Sequence, residues 1–386
     1  MSLKHIVHFV DIYPLIQYKY IYDQIADKED KKNIVIAERF LGNPLHKDFH
    51  YFRKVKNKEW FMRADSLFTD RIPVGNYLYL KAIDKFYRKK LKIINTPVMH
   101  AHSGMVGYKL SNLRKELGIP LVVTFYGNDV SYCLENDRWS RRYSDMFKAG
   151  DMFIVLCNEV KKRLIRRGCP EEKIRLWNIG LDLENYPYKE RSDKGPIKFL
   201  TVARFVEAKG YPVLLKAFSN LLIDHKDIAL TLVGYGPLKK QITNLIQNFG
   251  IEKKVSVIDT AGRPDFYSFF KNILYTHDIY VLPSTTSKYG EDEGGPALTM
   301  IYAQSSGLAV ISTPFPGSEI SVIDGETGLL CKQDSPESLR ERMEYLIGNN
   351  SLRNKLGLNA SILVQREFSL IPQLNKLHNI YDDLSF

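Results

Sequence analysis

The sequence predicts an α/β protein built as two doubly wound parallel-sheet domains facing across a cleft. Three observations predict it. Short β-branched or apolar runs alternate with longer helical patterns along the whole chain, which is how successive βαβ units read. The alternation falls into two series separated by a polar stretch. A chain of 386 residues with 44% apolar content is also too long for one ordinary core and suits two domains of under about 200 residues each.

In the first series the strand candidates are "HIVHFV" (5–10), "KNIVIAE" (32–38), "PVMHAH" (97–102), "PLVVTFYG" (120–127) and "DMFIVLC" (151–157). The second series holds "IKFLTVAR" (197–204), "IALTLVG" (228–234), "VSVID" (255–259), "DIYVLPS" (278–284) and "LAVIST" (308–313). Between them "NYPYKERSDKGPI" (185–197) has two prolines and no apolar period, so it reads as the linker. The expected domains are 1–187 and 188–369. The closing segment "SLIPQLNKLHNIYDDLSF" places Leu370, Leu374, Leu377 and Ile380 at helical spacing. Its helix, 370–386, either returns to complete the first domain or ends on the second.

Charge separates the halves. Residues 1–190 carry 34 Lys+Arg against 23 Asp+Glu, while 191–386 carry 21 against 21, so the net +11 lies wholly in the first half. The clusters "YFRKVKNK" (51–58), "KFYRKKLK" (85–92) and "KKRLIRR" (161–167) interleave aromatic or leucine residues with positive charge. Each reads either as a solvated face or as a contact with an anionic membrane surface. Nucleic acid is set aside, because no stacking platform or recognised motif accompanies the charge. No run of 18 uncharged apolar residues appears, and the N-terminal apolar run meets Asp11 and Pro14 before a signal core is complete. Cys133, Cys157, Cys169 and Cys331 are scattered without a C-x-x-C pair, which fits a reducing compartment and no zinc site. A cytoplasmic protein, peripheral on the inner face of the membrane, is the expectation.

Ligands of doubly wound sheets bind beyond the carboxyl ends of strands, so the chemistry should lie just after them. Arg204 ends one strand candidate, and Lys209 follows immediately before Gly210 and an amphipathic helix. Two cations beside a helix N-terminus suit a doubly charged phosphate group. A surface ion pair of either cation with Glu207 is the competing reading. Gly234 and Gly236 in "LVGYGP" form a turn that lets backbone approach a ligand, or simply joins strand to helix; Lys239 stands where a dinucleotide motif needs a third glycine. His100 and His102 in "MHAHSG" are expected to face opposite ways, with His102 toward the cleft as a ligand contact or as a hydrogen-bonded structural histidine. Neither has metal-binding partners nearby in sequence.

The ordered segments "VARFVEAKGYPVLLKAF", "LTLVGYGPLKKQI", "DIYVLPS", "DEGGPALTMIYAQSSGLAVIST" and "DGETGLL" resemble the retaining family 4 glycosyltransferases of GT-B fold, with two Rossmann-like domains. "VMHAHSG", "GIPLVVTFYGNDVS" and "GLDLENY" resemble that family's acceptor domain, so the likeness spans nearly the whole chain. The resemblance implies that Arg204 and Lys209 hold the diphosphate of a UDP- or GDP-linked sugar, so that no metal or other cofactor is required. It implies that Glu293 faces the donor sugar, with Gly294 and Gly295 turning main-chain N–H groups toward it. The family's second carboxylate is missing: Ile301 stands at that spacing, or Tyr302 in a shifted alignment, whose hydroxyl would take a ribose edge. Tyr126 replaces a histidine common in relatives and is assigned to orient the sugar. Asp129 either bonds an acceptor hydroxyl or caps the following helix. The acceptor is expected to be a glycan or lipid-linked: the basic first half, resting on anionic lipid, would receive a membrane-anchored glycan such as a polyprenyl-diphosphate oligosaccharide or a lipopolysaccharide core. A sugar-nucleotide epimerase and a catalytically weakened sugar-binding scaffold of the same fold are the competing functions.

Overall fold

The computed structural model describes residues 5–14, 18–25, 32–42, 49–54, 73–94, 98–192, 194–263 and 265–384. Its chain divides into two compact units, Met1–Leu181 with Leu370–Phe386, and Asp182–Ser369.

The first unit carries a sheet in the order β3-β2-β1-β4-β5-β6-β7. Its strands are β1 (His5–Tyr13), β2 (Lys32–Phe40), β3 (Phe49–Lys54), β4 (Met99–Ala101), β5 (Leu121–Thr124), β6 (Met152–Val155) and β7 (Ile174–Leu176). All neighbouring pairs are parallel. Every residue of β4, β5 and β6 is buried, because helices cover both faces of such a sheet. That double burial is why these strands read as unbroken apolar runs. The helix Gly104–Leu117 begins at Ser103, whose hydroxyl accepts from the Val106 N–H at 3.2 Å, and it stops at Gly118 with φ 68°.

The second unit carries β10-β9-β8-β11-β12-β13, again all parallel. These are β8 (Ile197–Val202), β9 (Ile228–Gly234), β10 (Val255–Asp259), β11 (Ile279–Leu282), β12 (Ala309–Ser312) and β13 (Leu329–Leu330). Phe199, Leu214, Phe218, Leu230, Ile279, Ile311, Leu339 and Met343 fill its core, joining the sheet to the helices Tyr211–Asp224 and Pro336–Ile347.

Three strands go beyond the sequence expectation. β7 and β13 are three and two residues long, too short for a period to show. β3 takes the first half of the basic cluster 51–58, the rest of which lies outside the described residues. Phe40 stacks on Tyr51 with ring centroids 4.8 Å apart, while Arg53 and Lys54 stay exposed, as charge on an edge strand should. The cluster 85–92 lies on the helix Pro73–Ile93, and 161–167 on and just beyond Asn158–Arg166. Much of this charge is already paired: Arg88 with Asp84 and Glu116, Lys161 with Glu171, Arg166 with Glu159, and Arg167 with Glu135.

The closing helix, Leu370–Asp382, belongs to the first unit. Leu374, Leu377, Ile380 and Tyr381 are buried, and the Trp177 indole N–H donates to the Gln373 carbonyl at 2.9 Å. The polar segment after residue 185 is fastened to the second unit. Tyr186 packs on Tyr302 at 4.6 Å, and the buried Arg191 guanidinium donates to the Ser306 carbonyl at 2.7 Å. No helix among the described residues is long and apolar enough to cross a membrane. In each sheet the strand order reverses once, between β1 and β4 and between β8 and β11, and the candidate residues gather at those two points.

Candidate functional site

In the second unit two loops meet at the reversal. One follows β8 and carries Arg204, then Lys209 in a short turn (Glu207–Lys209), then Gly210 and the N-terminus of the helix Tyr211–Asp224. The other follows β11 and carries Ser284 and the acidic turn. Arg204 Nη2 lies 3.0 Å from Glu291 Oε1. Lys209 Nζ forms an ion pair with Glu293 Oε1, which also accepts from the Ser284 hydroxyl at 2.6 Å. Glu207, the neighbour expected as a competing partner, holds neither cation in these contacts. The partners come from more than 80 residues away. The acidic turn therefore supplies the counter-charge for two fixed cations at the carboxyl end of the sheet.

The two pairs differ in depth. Lys209 and Glu293 side chains are 12% and 11% exposed, whereas Arg204 and Glu291 are 53% and 25% exposed. A half-exposed pair contributes under about 1 kcal/mol and opens readily to an incoming anion. The deeper pair is held more firmly, since removing one partner leaves the other charge poorly solvated.

Gly210 makes this geometry possible. Its φ is +65°, and a Cβ there would meet the Pro283 carbonyl oxygen at 1.9 Å. Gly210→Ala is expected to destabilise the protein by more than about 3 kcal/mol, from left-handed strain plus the backbone clash. A urea midpoint unchanged from wild type would show that the two loops are not locked together there.

The glycine turn after β9 has a similar cause. A Cβ on Gly234 would fall 1.9 Å from the Ala203 carbonyl oxygen, and one on Gly236 would fall 2.5 Å from that of Phe205. These glycines let two loops pack backbone to backbone beside Arg204. Gly294 and Gly295 are buried, and the Gly295 N–H donates to the Glu293 carbonyl at 2.7 Å, which commits that amide within its own turn. Tyr302, on the helix Leu298–Ser305, is 6% exposed and packs between Tyr186 and Phe270. Ile301 beside it is fully buried.

In the first unit the carboxyl ends of β1, β4 and β5 bring together a polar cluster. His8 and His100 are register partners on adjacent strands, so their side chains share a face, with ring centroids 5.5 Å apart. His102 stands two residues beyond His100 and joins the same side, its ring 4.1 Å from that of His100. The expectation that the two would face opposite ways is thereby corrected: a period of two returns residues i and i+2 to one face. His102 Nε2 lies 3.0 Å from His8 Nδ1, and its Nδ1 lies 2.9 Å from the Tyr126 hydroxyl. His100 reaches the Thr124 hydroxyl at 2.7 Å through Nε2 and the Tyr381 hydroxyl at 2.6 Å through Nδ1. Tyr20 packs edge-on against Tyr126, with centroids 5.3 Å apart.

Burial, then the neighbouring imidazoles, holds the His100 and His102 pKa values well below the ordinary 6.5. Both rings are neutral. Burial, and next the Asp129 carboxylate, raises the Tyr126 phenol well above its usual value. Asp129 is buried, and its two oxygens accept the N–H groups of Tyr126 (3.1 Å), Gly127 (2.9 Å) and Gly104 (3.0 Å). It ties the loop after β5 to the start of the helix Gly104–Leu117. Burial lifts its carboxyl pKa, and those backbone donors oppose the rise. Sequence reasoning missed His8, Thr124, Tyr381, Ser284 and Glu291. The one local signal for His8 is a polar residue inside an otherwise apolar buried strand.

Residues 182–362 match the family described as "Glycosyl transferases group 1", and residues 49–185 match "Glycosyltransferase Family 4". WcaL of Salmonella typhimurium, whose name points to colanic acid biosynthesis, is 28% identical over 64% of this chain and 60% of its own length. The alignment with that first curated relative thus spans less than two thirds of it. The amylovoran biosynthesis glycosyltransferase AmsK of Erwinia amylovora is 28% identical over 74% of this chain and 69% of its own. Among solved structures, Anabaena HepE in complex with UDP superposes with a TM-score of 0.75 at 12% identity, covering 99% of this chain and 100% of that one. Sucrose-phosphate synthase from Thermosynechococcus elongatus gives 0.77 at 17% identity, covering 99% of both chains. These two likenesses bear on the fold. With two parallel sheets, cations at the second reversal point and family matches running from residue 49 to 362, the chain belongs to the family 4 glycosyltransferases of GT-B type.

Proposed function

We propose that the chain transfers a sugar from a UDP- or GDP-linked donor to a hydroxyl of a glycan or lipid-linked acceptor, with retention of anomeric configuration and without a metal ion. The observation that carries this reading is the pair Arg204 and Lys209, set beyond β8 beside a helix N-terminus and paired with side chains of the facing acidic turn. A diphosphate replaces those carboxylates with a better-matched anion, and the same cations stabilise charge on the departing nucleotide as the sugar bond breaks. That is the task a divalent metal performs elsewhere. The leaving oxygen then takes the acceptor proton, so no strong side-chain base is needed. Relatives named for colanic acid and amylovoran biosynthesis support a role in cell-surface polysaccharide or lipopolysaccharide synthesis. The solved HepE complexes with UDP and with UDP-glucose favour uridine among the two bases. An anionic membrane surface as a further partner draws on the basic first half, although Arg88, Lys161, Arg166 and Arg167 already pair within their own unit.

Nucleotide-induced stabilisation tests the reading. At about 100 times its Kd, UDP or GDP should stabilise the protein by about 2.7 kcal/mol. The rise in Tm should persist in EDTA and vanish in the Arg204→Ala/Lys209→Ala double variant. No shift with either nucleotide, or a shift that EDTA removes, would overturn it.

A further inference from the structure

The histidine cluster of the first unit carries a consequence for how Tyr126 meets a substrate. A ring nitrogen from each of His8, His100 and His102 lies within 4.8 Å of the others, a spacing that suits a metal ion. The hydrogen bonds point elsewhere. The contacts form two runs, Tyr381 to His100 to Thr124 and Tyr126 to His102 to His8. A neutral imidazole has one donor nitrogen and one acceptor nitrogen, and each hydroxyl has a single proton. Once one bond in a run has a direction, the bonds through an imidazole must follow it.

Two of the links join a phenol to an imidazole. The phenol is the more acidic partner and the bare ring nitrogen the more basic, so the stronger bond in each runs from O–H to N. Only one arrangement satisfies both links. Tyr381 donates to His100 Nδ1, and His100 Nε2–H donates to Thr124. Tyr126 donates to His102 Nδ1, and His102 Nε2–H donates to His8 Nδ1. All three histidines are then Nε2–H tautomers whose Nδ1 lone pairs are occupied, which leaves none of those three for a metal. The Tyr126 proton is likewise committed inward, so its oxygen is left to accept.

We propose that His102, backed by His8, is a positioning residue that fixes the Tyr126 phenol so that it meets a bound hydroxyl as a hydrogen-bond acceptor. This deepens the glycosyltransferase reading, on which its consequence for transfer rests. The ligand class follows: a sugar or acceptor hydroxyl that donates to Tyr126.

Long-range 15N–1H spectra of the full chain with labelled imidazoles test the arrangement without reference to activity. Between pH 6 and 8 as chosen conditions, His8, His100 and His102 should appear neutral and Nε2-protonated, on the basis of neutral-imidazole tautomer chemistry. Tyr126→Phe should move the His102 Nδ1 resonance toward that of an unbonded nitrogen. Equimolar Zn2+ should leave the three rings unchanged. A kinetic arm measures the consequence: His102→Ala lowers kcat by about 10- to 100-fold at constant donor KM, and His102→Asn, which keeps an acceptor near the Nδ1 position, restores part of it. An Nδ1–H tautomer or a charged ring at His102, stoichiometric Zn2+ uptake by the cluster, or a His102→Ala kcat equal to wild type would overturn the proposal. Where His102→Ala fails to fold, the wild-type and Tyr126→Phe spectra still decide it. Absence of transfer with any donor would sink the enzyme reading while the spectra still report these hydrogen bonds.

Discussion

Lys209→Ala lowers sugar-transfer turnover by about 100- to 1000-fold, the loss seen when one preorganised charge is removed from a developing anion. The structure gives this variant a second effect that must be separated from the first. Lys209 is the partner of Glu293, and both side chains are nearly buried. Truncation leaves the Glu293 carboxylate to the Ser284 hydroxyl without its cation, which costs about 1–3 kcal/mol of stability. Adding Glu293→Gln removes the stranded charge, so the double variant regains stability without regaining turnover. The non-additivity in stability reports the pair itself. Arg204→Ala behaves differently: its pair with Glu291 is half exposed, so stability changes by less than about 1 kcal/mol while turnover falls comparably. Steady-state transfer assays beside urea titrations check all three. If Lys209→Ala keeps wild-type turnover, the diphosphate does not sit at this cation.

The contrast between these residues shows what a linear sequence discloses. Arg204, Lys209 and Gly210 lie within seven residues after one strand, so their grouping is local and legible. Their acid partners lie across the topological reversal, brought in by β11, and a sequence neighbour, Glu207, stood in for them. The fold follows the same division. Buried parallel strands announce themselves as apolar runs, whereas β7 and β13 are too short to do so, and the edge strand β3 is written in basic and aromatic residues because it faces solvent on one side. The polar cluster of the first unit was the least legible part. His8 and His102 are 94 residues apart, and Tyr381 and His100 are 281 apart, so strand register and the returning terminal helix assemble it. Even the facing of His100 and His102 is settled by the plain period of a strand, which places both on one side.

Acid should weaken the first unit before any carboxylate is titrated. His100 and His102 are neutral in the folded state, with pKa values held well below the ordinary 6.5 chiefly by burial. In the unfolded chain both return to about 6.5 and bind protons that the native state refuses, so stability falls as pH drops below that value. Each group contributes a slope of up to about 1.4 kcal/mol per pH unit until its native pKa is reached, so the two together give up to about 2.7. His277 in the second unit, also lowered mainly by burial, acts in the same direction there. Asp129 works oppositely. Its raised native pKa means that it takes up its proton in the folded state first, which offsets part of the loss at lower pH. Trp139 and Trp177 lie in the first unit and the sequence has no tryptophan within Asp182–Ser369, so indole fluorescence follows the first unit separately. Its urea midpoint should drop steeply between pH 7 and 5 as chosen endpoints, on the basis of these two titrations. His100→Gln and His102→Gln should each flatten that dependence while lowering the plateau near neutrality, because glutamine cannot charge but reproduces the imidazole bonds poorly. A midpoint that stays level from pH 7 to pH 5 would mean that these rings already carry protons in the native state, and the neutral hydrogen-bonded imidazole behind Tyr126 would have to be abandoned.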